Sequence, residues 1–315
     1  MIRSPPPDLK PLPMPRALRR LLLALACALA PWAHAAGAAP LTIVAAESTY
    51  GAIASAIGGS HVRVVSLIRN PDVDPHSFEA TPQAARSVAQ ARLVLMNGLG
   101  YDSWMTRLLA ANPVAGRKVL VAAELLPARR LADGNPHVFY DPEVGLRMAD
   151  EVADWLRHAD PAHAADYTAA DQAMRARLAG VLRRAADLAR SYPRLRVTGT
   201  EPVWGYMIRQ LGWHNLHQGL QIHVMNGTEP SPREMAGFDA DLRARRVSLL
   251  IHNRQVDSAL TRRMLRLAHA CGVPSLGVDE FTPEGTGYPD WLLQSLDAAA
   301  AALARPPAPS AACHA

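Results

Sequence analysis

Two histidines in this chain lie in local patterns that are typical of metal ligands. His76 lies in DPHSFEATP and His137 in NPHVFYDP, so each follows a proline and precedes an aromatic and an acidic residue. Proline restricts the residue before it to extended conformations, which narrows the directions in which the imidazole points. Neutral imidazole is a common ligand of divalent transition metals. The two motifs therefore predict that both side chains bind one ion.

Two carboxylates in the second half of the chain also follow predicted strands. Glu201 comes directly after LRVTGT, and Glu280 closes PSLGVDE. Binding groups collect at the carboxyl ends of strands in open parallel sheets, and His76 and His137 follow predicted strands as well. We therefore expect the four side chains to converge on one cleft. Two imidazoles and two carboxylates suit Zn²⁺, Mn²⁺ or Fe²⁺.

Residues beside these ligands are candidates for orienting them. We expect Glu79 and Asp141 to accept the distal imidazole hydrogens, as metal-bound histidines usually require. The segment HNRQ, residues 252–255, ends a predicted strand and is expected to supply hydrogen bonds to the ligands. A further group of histidines is interpreted as ordinary surface residues rather than an auxiliary metal site, with the last of them placed in a strand: His214, His217 and His223.

The elements that must position these residues form two β-α stretches. The predicted strands are LTIVAA, VRVVSLI, RLVLMNG and KVLVAA in the first, and LRVTGT, LQIHVMN, VSLLIHN and PSLGVDE in the second. Between them, apolar residues recur at three- and four-residue steps over residues 163–192, which predicts one helix of about 29 residues and some 43 Å. The pattern predicts an α/β fold with two β-α lobes, parallel-type four-stranded sheets and one long rigid linking helix, the metal site lying between the lobes.

The N-terminus has the features of an export signal. Arginines precede the apolar run LLLALACALA, and the segment AHA that follows offers small residues, Ala33 and Ala35, at the spacing that a signal peptidase reads. The run is too short for a bilayer, which needs about twenty residues. We expect periplasmic protein that begins near Ala36, with lipidation at Cys27 as a minor alternative. The expected divisions are a signal peptide (1–35), an N-terminal lobe (36–160), a linking helix (161–192), a C-terminal lobe (193–304) and a flexible tail (305–315).

Charge and cysteine content limit the possible partners. The 315 residues are 49% hydrophobic and 19% charged, which is ordinary globular composition, and the net charge is +5. Residues 1–35 hold five basic and one acidic side chain, so the rest carries 28 basic and 27 acidic ones. This balance gives no support for nucleic-acid binding. Cys271 and Cys313 remain after export, and the sequence leaves open whether they pair.

At the ligand motifs the chain resembles the metal-binding solute receptors of bacterial ABC importers for zinc and manganese. DPHSFEATP, NPHVFYDP and TEPVWGYM are similar to that family's first three ligand motifs, which implies ligands at His76, His137 and Glu201. GVDEFTPEG offers Glu280 as the fourth, with Asp279 and Glu284 as alternatives. The resemblance covers essentially the whole mature chain. It implies two lobes that close little, a transported zinc or manganese ion, and an ABC permease as partner; we expect a monomer.

Two other functions are weighed against metal capture. A periplasmic zinc hydrolase needs an open coordination position and a base, and the chain has neither a His-Glu-x-x-His nor a Gly-x-Ser-x-Gly motif. A surface adhesin, a role of some receptors of this kind, has no support in the residues. We therefore expect binding without catalysis.

The choice of metal stays open between zinc and manganese. The segment before His137, AELLPARRLADGNPH, lacks the histidine-rich loop that zinc-type receptors of this family often carry. A shell with two carboxylates, one of which could bind through both oxygens, suits manganese better than a three-histidine shell does. Zinc, however, outbinds manganese at almost any nitrogen and oxygen site.

Overall fold

The computed structural model describes residues 40–70, 73, 75 and 78–313, in which eight strands form two sheets. Their orders are β2-β1-β3-β4 and β6-β5-β7-β8, and all neighbouring strands run parallel. The predicted α/β fold with two four-stranded parallel sheets is confirmed. The predicted signal peptide, Cys27 and His76 lie outside the described residues. No helix within the described part is long and apolar enough to span a bilayer.

The first lobe alternates strands with helices. Its elements are β1 (Leu41–Glu47), α1 (Ser48–Gly58), β2 (Val62–Ile68), α2 (Pro82–Gln90), β3 (Leu93–Met96), α3 (Ser103–Ala111), β4 (Lys118–Val121), α4 (Ala122–Leu125) and α5 (Pro142–Ala159). The central strands β1 and β3 are mostly aliphatic and, apart from Leu41 and Thr42, buried, because helices cover both faces of the sheet.

The second lobe repeats this strand order. Its elements are β5 (Arg196–Gly199), α7 (Gly205–Gln210), β6 (His214–Leu216), α8 (Gln218–Met225), α9 (Pro232–Arg243), β7 (Leu249–Asn253), α10 (Ala259–Ala270), β8 (Ser275–Val278) and α11 (Tyr288–Ala304). Helix α9 begins with a capping box, in which Ser231 and Glu234 satisfy each other's backbone N–H groups.

One long helix, α6 (Ala164–Ser191), joins the two lobes. Its 28 residues correspond to about 42 Å at 1.5 Å per residue. The buried side chains recur at three- and four-residue steps, as the sequence predicted: Tyr167, Asp171, Met174, Leu178, Val181, Ala185 and Leu188. The helix packs on α1, α5 and α11, so it contacts elements from both halves of the chain.

The predicted strand LQIHVMN is wrong, because this segment forms helix α8. Its alternating Leu220, Ile222 and Val224 suggested a strand, but the edge strand β6 is only three residues long and ends before it. Between them, His217 adopts a left-handed conformation with φ of 59°, which turns the chain from strand to helix. The side-chain amide of Gln221 then donates to the Leu216 carbonyl at 2.7 Å. His223 therefore lies on a helix and not in a strand.

A disulfide joins the C-terminal segment to the second lobe. Cys271 follows α10 and is bonded to Cys313, 42 residues further on. Backbone contacts support the link, since Ser310 N–H donates to the Ala270 carbonyl at 2.8 Å and the Arg243 guanidinium donates to the Cys313 carbonyl. The two cysteines thus pair.

Breaking this disulfide should lower the free energy of unfolding. Closing a loop of this length removes chain entropy worth about 4 kcal/mol from the unfolded state, and measured losses are often smaller. We expect Cys313→Ala to lose roughly 2–4 kcal/mol in urea unfolding. Reduced wild-type protein should behave like the variant; equal stability of oxidised wild type and variant would contradict the prediction.

Candidate metal centre

His137 is buried and its imidazole is held by a neighbour in its own motif. The Nδ1 atom lies 2.7 Å from the Asn135 side-chain oxygen, which also accepts the His137 backbone N–H at 2.9 Å. An amide oxygen accepts but cannot donate, so Nδ1 carries the proton and Nε2 presents its lone pair. The Nε2 atom lies 3.8 Å from Oε2 of Glu280, across the cleft between the lobes.

The prediction that Asp141 orients His137 is wrong, because this carboxylate is bound by two arginines. Asp141 accepts hydrogen bonds from Arg129 at 2.6 Å and from Arg209 of α7 at 2.7 Å, and its other oxygen caps α5. The Arg209 bond links the two lobes. Glu79 is exposed, and its expected partner His76 lies outside the described residues.

One side-chain amide joins the two predicted carboxylate ligands. Asn253, the last residue of β7, donates to Oε2 of Glu201 and to Oε1 of Glu280, each at 2.6 Å. Its own oxygen accepts the Gln255 N–H at 2.9 Å, and Gln255 in turn accepts the Glu280 N–H at 2.7 Å. Residues 252–255 therefore form hydrogen bonds with Glu201 and Glu280, as expected of this segment. The sequence did not identify Asn253 as the residue that contacts both.

The two alternatives to Glu280 are engaged elsewhere. Arg254 binds Asp279 through two hydrogen bonds, of 2.8 and 2.5 Å. The Glu284 side chain is 78% exposed and lies 3.8 Å from Arg69. Of the three acidic residues after β8, Glu280 is the one buried beside His137.

The described residues bring three of the four predicted ligands into one buried region. His137 faces Glu280, and Glu280 is joined to Glu201 through Asn253. Over 40–70, 73, 75 and 78–313, no three His, Cys, Asp or Glu side chains form a group that could by itself hold a metal ion. The fourth predicted ligand, His76, lies outside this part of the chain.

The remaining histidine group lies away from these ligands. His217 and His223 are 3.3 and 3.8 Å from Asp241 and Glu234 of α9, respectively. His214 is exposed on β6. We keep the interpretation of this group as ordinary histidines near the surface.

Hydrogen bonds that cross between the lobes hold the candidate ligands at fixed positions. The Asn135 amide donates to the Pro202 carbonyl at 2.6 Å, and the Tyr206 hydroxyl donates to the Asn135 carbonyl at 2.9 Å. Tyr101 and Tyr140 donate to the carbonyls of Glu280 and Asp279 at 3.3 and 2.8 Å. The backbone next to His137, Glu201 and Glu280 is thus fixed from the opposite lobe.

A buried glutamate that the sequence analysis missed lies at the end of β1. Glu47 is fully buried, and neither of its carboxylate oxygens has a hydrogen-bond partner within the described residues. It occupies the N-cap position of α1 but makes no side-chain capping bond. Burial raises the pKa of Glu47 well above its ordinary value, and the nearby charges of Asp102 and Glu280 raise it further. The sequence signal that could have identified Glu47 is its position directly after the predicted strand LTIVAA.

Replacing Glu47 should change how stability depends on pH. An unfolded glutamate has a pKa near 4.3, and the folded pKa is higher, so between the two values the folded protein binds more protons. The contribution of Glu47 to the stability of the metal-free protein therefore falls as pH rises above about 4, until the folded pKa is reached. We expect Glu47→Gln to weaken this fall, measured by urea unfolding from pH 4 to pH 8 with a chelator present.

Glu124→Gln, at an exposed position in the same lobe, is the matched control and should follow the wild-type profile. Parallel profiles for wild type and Glu47→Gln would show that the carboxyl group does not titrate as described.

Comparison with known proteins assigns the chain to a protein family. The family model of ZnuA, the zinc-uptake complex component A periplasmic, matches residues 43–302. The chain belongs to this family. The resemblance inferred from the ligand motifs is thereby confirmed.

Relatives of this ZnuA-family chain are named for binding different metals. It is 27% identical over 291 residues to the zinc-binding protein TroA of Treponema pallidum (strain Nichols), covering 86% of this chain and 91% of TroA. It is 30% identical over 129 residues to the manganese-binding lipoprotein MntA of Bacillus subtilis (strain 168), covering 39% of this chain and 42% of MntA. The solved structure of TroA matches with a TM-score of 0.72 and 21% identity, over 85% of this chain and 100% of TroA, which shows a common fold.

Proposed function

We propose that this ZnuA-family chain is a periplasmic receptor that captures one zinc or manganese ion between its lobes and delivers it to an ABC permease. The observation that carries the proposal is the 3.8 Å between His137 Nε2 and Glu280 Oε2 in a buried cleft. This is too long for a hydrogen bond. Metal bonds to imidazole nitrogen and carboxylate oxygen are each about 2.0–2.2 Å, so one ion can bind both atoms at this separation.

The proposed coordination shell combines residues from both lobes. His137 and His76 would supply imidazole nitrogens, and Glu201 and Glu280 would supply carboxylate oxygens. A buried carboxylate is costly without a compensating cation, and a divalent ion offsets two of them. The orientation of His137 by Asn135 supports this role, because a ligating imidazole needs its other N–H bonded to an acceptor.

Further features of the proposal follow from the family and the shell. Four protein groups around the ion would leave no water for activation, so we propose binding without turnover. We also propose that the protein acts as a monomer. The family model describes a periplasmic component of an uptake complex, which supports export and a membrane permease as the partner.

Removing a proposed ligand should abolish tight metal binding. We expect wild-type protein to bind one zinc ion per chain by calorimetry and elemental analysis. His137→Ala and Glu280→Gln should each weaken binding at least about a hundredfold, because an incomplete shell loses a metal bond. His158→Ala, whose side chain is 78% exposed, is the control and should bind like wild type.

Thermal unfolding gives a second measurement of the same binding. An ion present at about 100 times its dissociation constant stabilises the native state by about 2.7 kcal/mol. The melting temperature should therefore rise with zinc in wild type and His158→Ala but much less in the ligand variants. If His137→Ala still bound one ion with wild-type affinity, the proposed site would be wrong.

A further inference from the structure

We propose that Asn253 sets the metal preference of this site by holding Glu201 and Glu280 to coordination through one oxygen each. This inference rests on the proposed function, since it concerns the ion that the same carboxylates would bind. The consequence is a preference for an ion that accepts few ligands, namely zinc, over one that gains from additional carboxylate oxygens, such as manganese.

The position of Asn253 follows from the strand order. Strand β7 lies between β5 and β8, and Glu201 and Glu280 each come two residues after the end of one of these strands. A side chain at the end of β7 can therefore contact both carboxylates. Asn253 is 3% exposed, and its two N–H groups are directed to the two carboxylates at 2.6 Å each.

The orientation of the Asn253 amide is determined by its surroundings. Its oxygen accepts the backbone N–H of Gln255 at 2.9 Å, a contact that the NH₂ group could not make. Gln255 also accepts the backbone N–H of Glu280 at 2.7 Å, which ties the same loop to the segment after β8. The NH₂ group must consequently face Glu201 and Glu280.

These contacts assign different roles to the two oxygens of each carboxylate. Oε2 of Glu201 and Oε1 of Glu280 accept from Asn253, whereas Oε2 of Glu280 is the oxygen nearest His137. Each carboxylate oxygen has two lone-pair directions, so an ion bound through both oxygens of either glutamate would share one oxygen with the Asn253 N–H, and this competition would cost part or all of a buried, charge-assisted hydrogen bond. That loss is worth a factor of roughly ten or more in affinity. A four-coordinate zinc ion avoids the loss, but an ion that needs five or six ligands does not.

The test compares zinc and manganese affinities in wild type, Asn253→Ala and Asn253→Leu by competition with a chelator of known affinity. Both variants remove the donor, and leucine retains approximately the original side-chain volume. We expect the ratio of zinc to manganese affinity to fall about tenfold in each. Asn215→Ala is the matched control, because Asn215 is in the same sheet but bonds to Gln221, and its ratio should be that of wild type.

A merely structural role for Asn253 predicts a different result. A loss of stability would lower the affinities for zinc and manganese by the same factor. An unchanged ratio of zinc to manganese affinity in variants that still bind metal would therefore overturn the inference. If neither variant folds, X-ray absorption of zinc-loaded wild-type protein tests the same point. Two carboxylates that each bind through one oxygen support the inference, and a carboxylate bound through both oxygens overturns it. Failure of wild type to bind either ion would instead refute the proposed function.

Discussion

The neutralisation of buried carboxylates is the constraint on which this cleft depends. Arginines neutralise two acids that lie close to the candidate ligands in sequence, as Arg129 and Arg209 do for Asp141 and Arg254 does for Asp279. Glu201 and Glu280 instead receive the neutral amide of Asn253. A neutral donor satisfies a lone pair without itself adding positive charge, which suits a carboxylate that is proposed to bind a divalent cation. Arginine would satisfy the same oxygens but would compete with the ion.

The ligand geometry also requires that the lobes stay at a fixed separation. An error of 1 Å in the distance between His137 and Glu280 would spoil a shell with bonds of about 2 Å. Asn135 reduces this risk because one side chain orients the His137 ring and also donates to the carbonyl of Pro202, next to Glu201. The position of an imidazole from one lobe is therefore coupled directly to the backbone that carries a carboxylate from the other. This arrangement suits a site formed before the ion arrives.

The sequence predicted the parts of this structure that depend on local periodicity and strand ends. Helix α6 and seven of the eight strands follow from apolar spacing, and Glu201 and Glu280 follow from their places after strands. The strand expected at LQIHVMN failed because the left-handed His217 redirects the chain, and a single residue conformation leaves no periodic signal. The sequence pattern favours the acidic Asp141 as the partner of the His137 imidazole, whereas the structure has the Asn135 side-chain oxygen there. Its role depends on a contact between lobes that no local pattern contains.

The two lobes use the same strand order for different purposes, and this explains why the proposed site is asymmetric. Asn97 follows β3 as Asn253 ends β7, but the Asn97 amide donates to the carbonyls of Gly98 and Pro136 and so supports the loop that carries His137. In the first lobe the asparagine thus orders backbone, and the proposed ligand is an imidazole further along the loop. In the second lobe the equivalent asparagine orders side chains, and the proposed ligands are the carboxylates that it contacts. A repeated scaffold can therefore present nitrogen from one side and oxygen from the other, with each donor type oriented by its own lobe's amide.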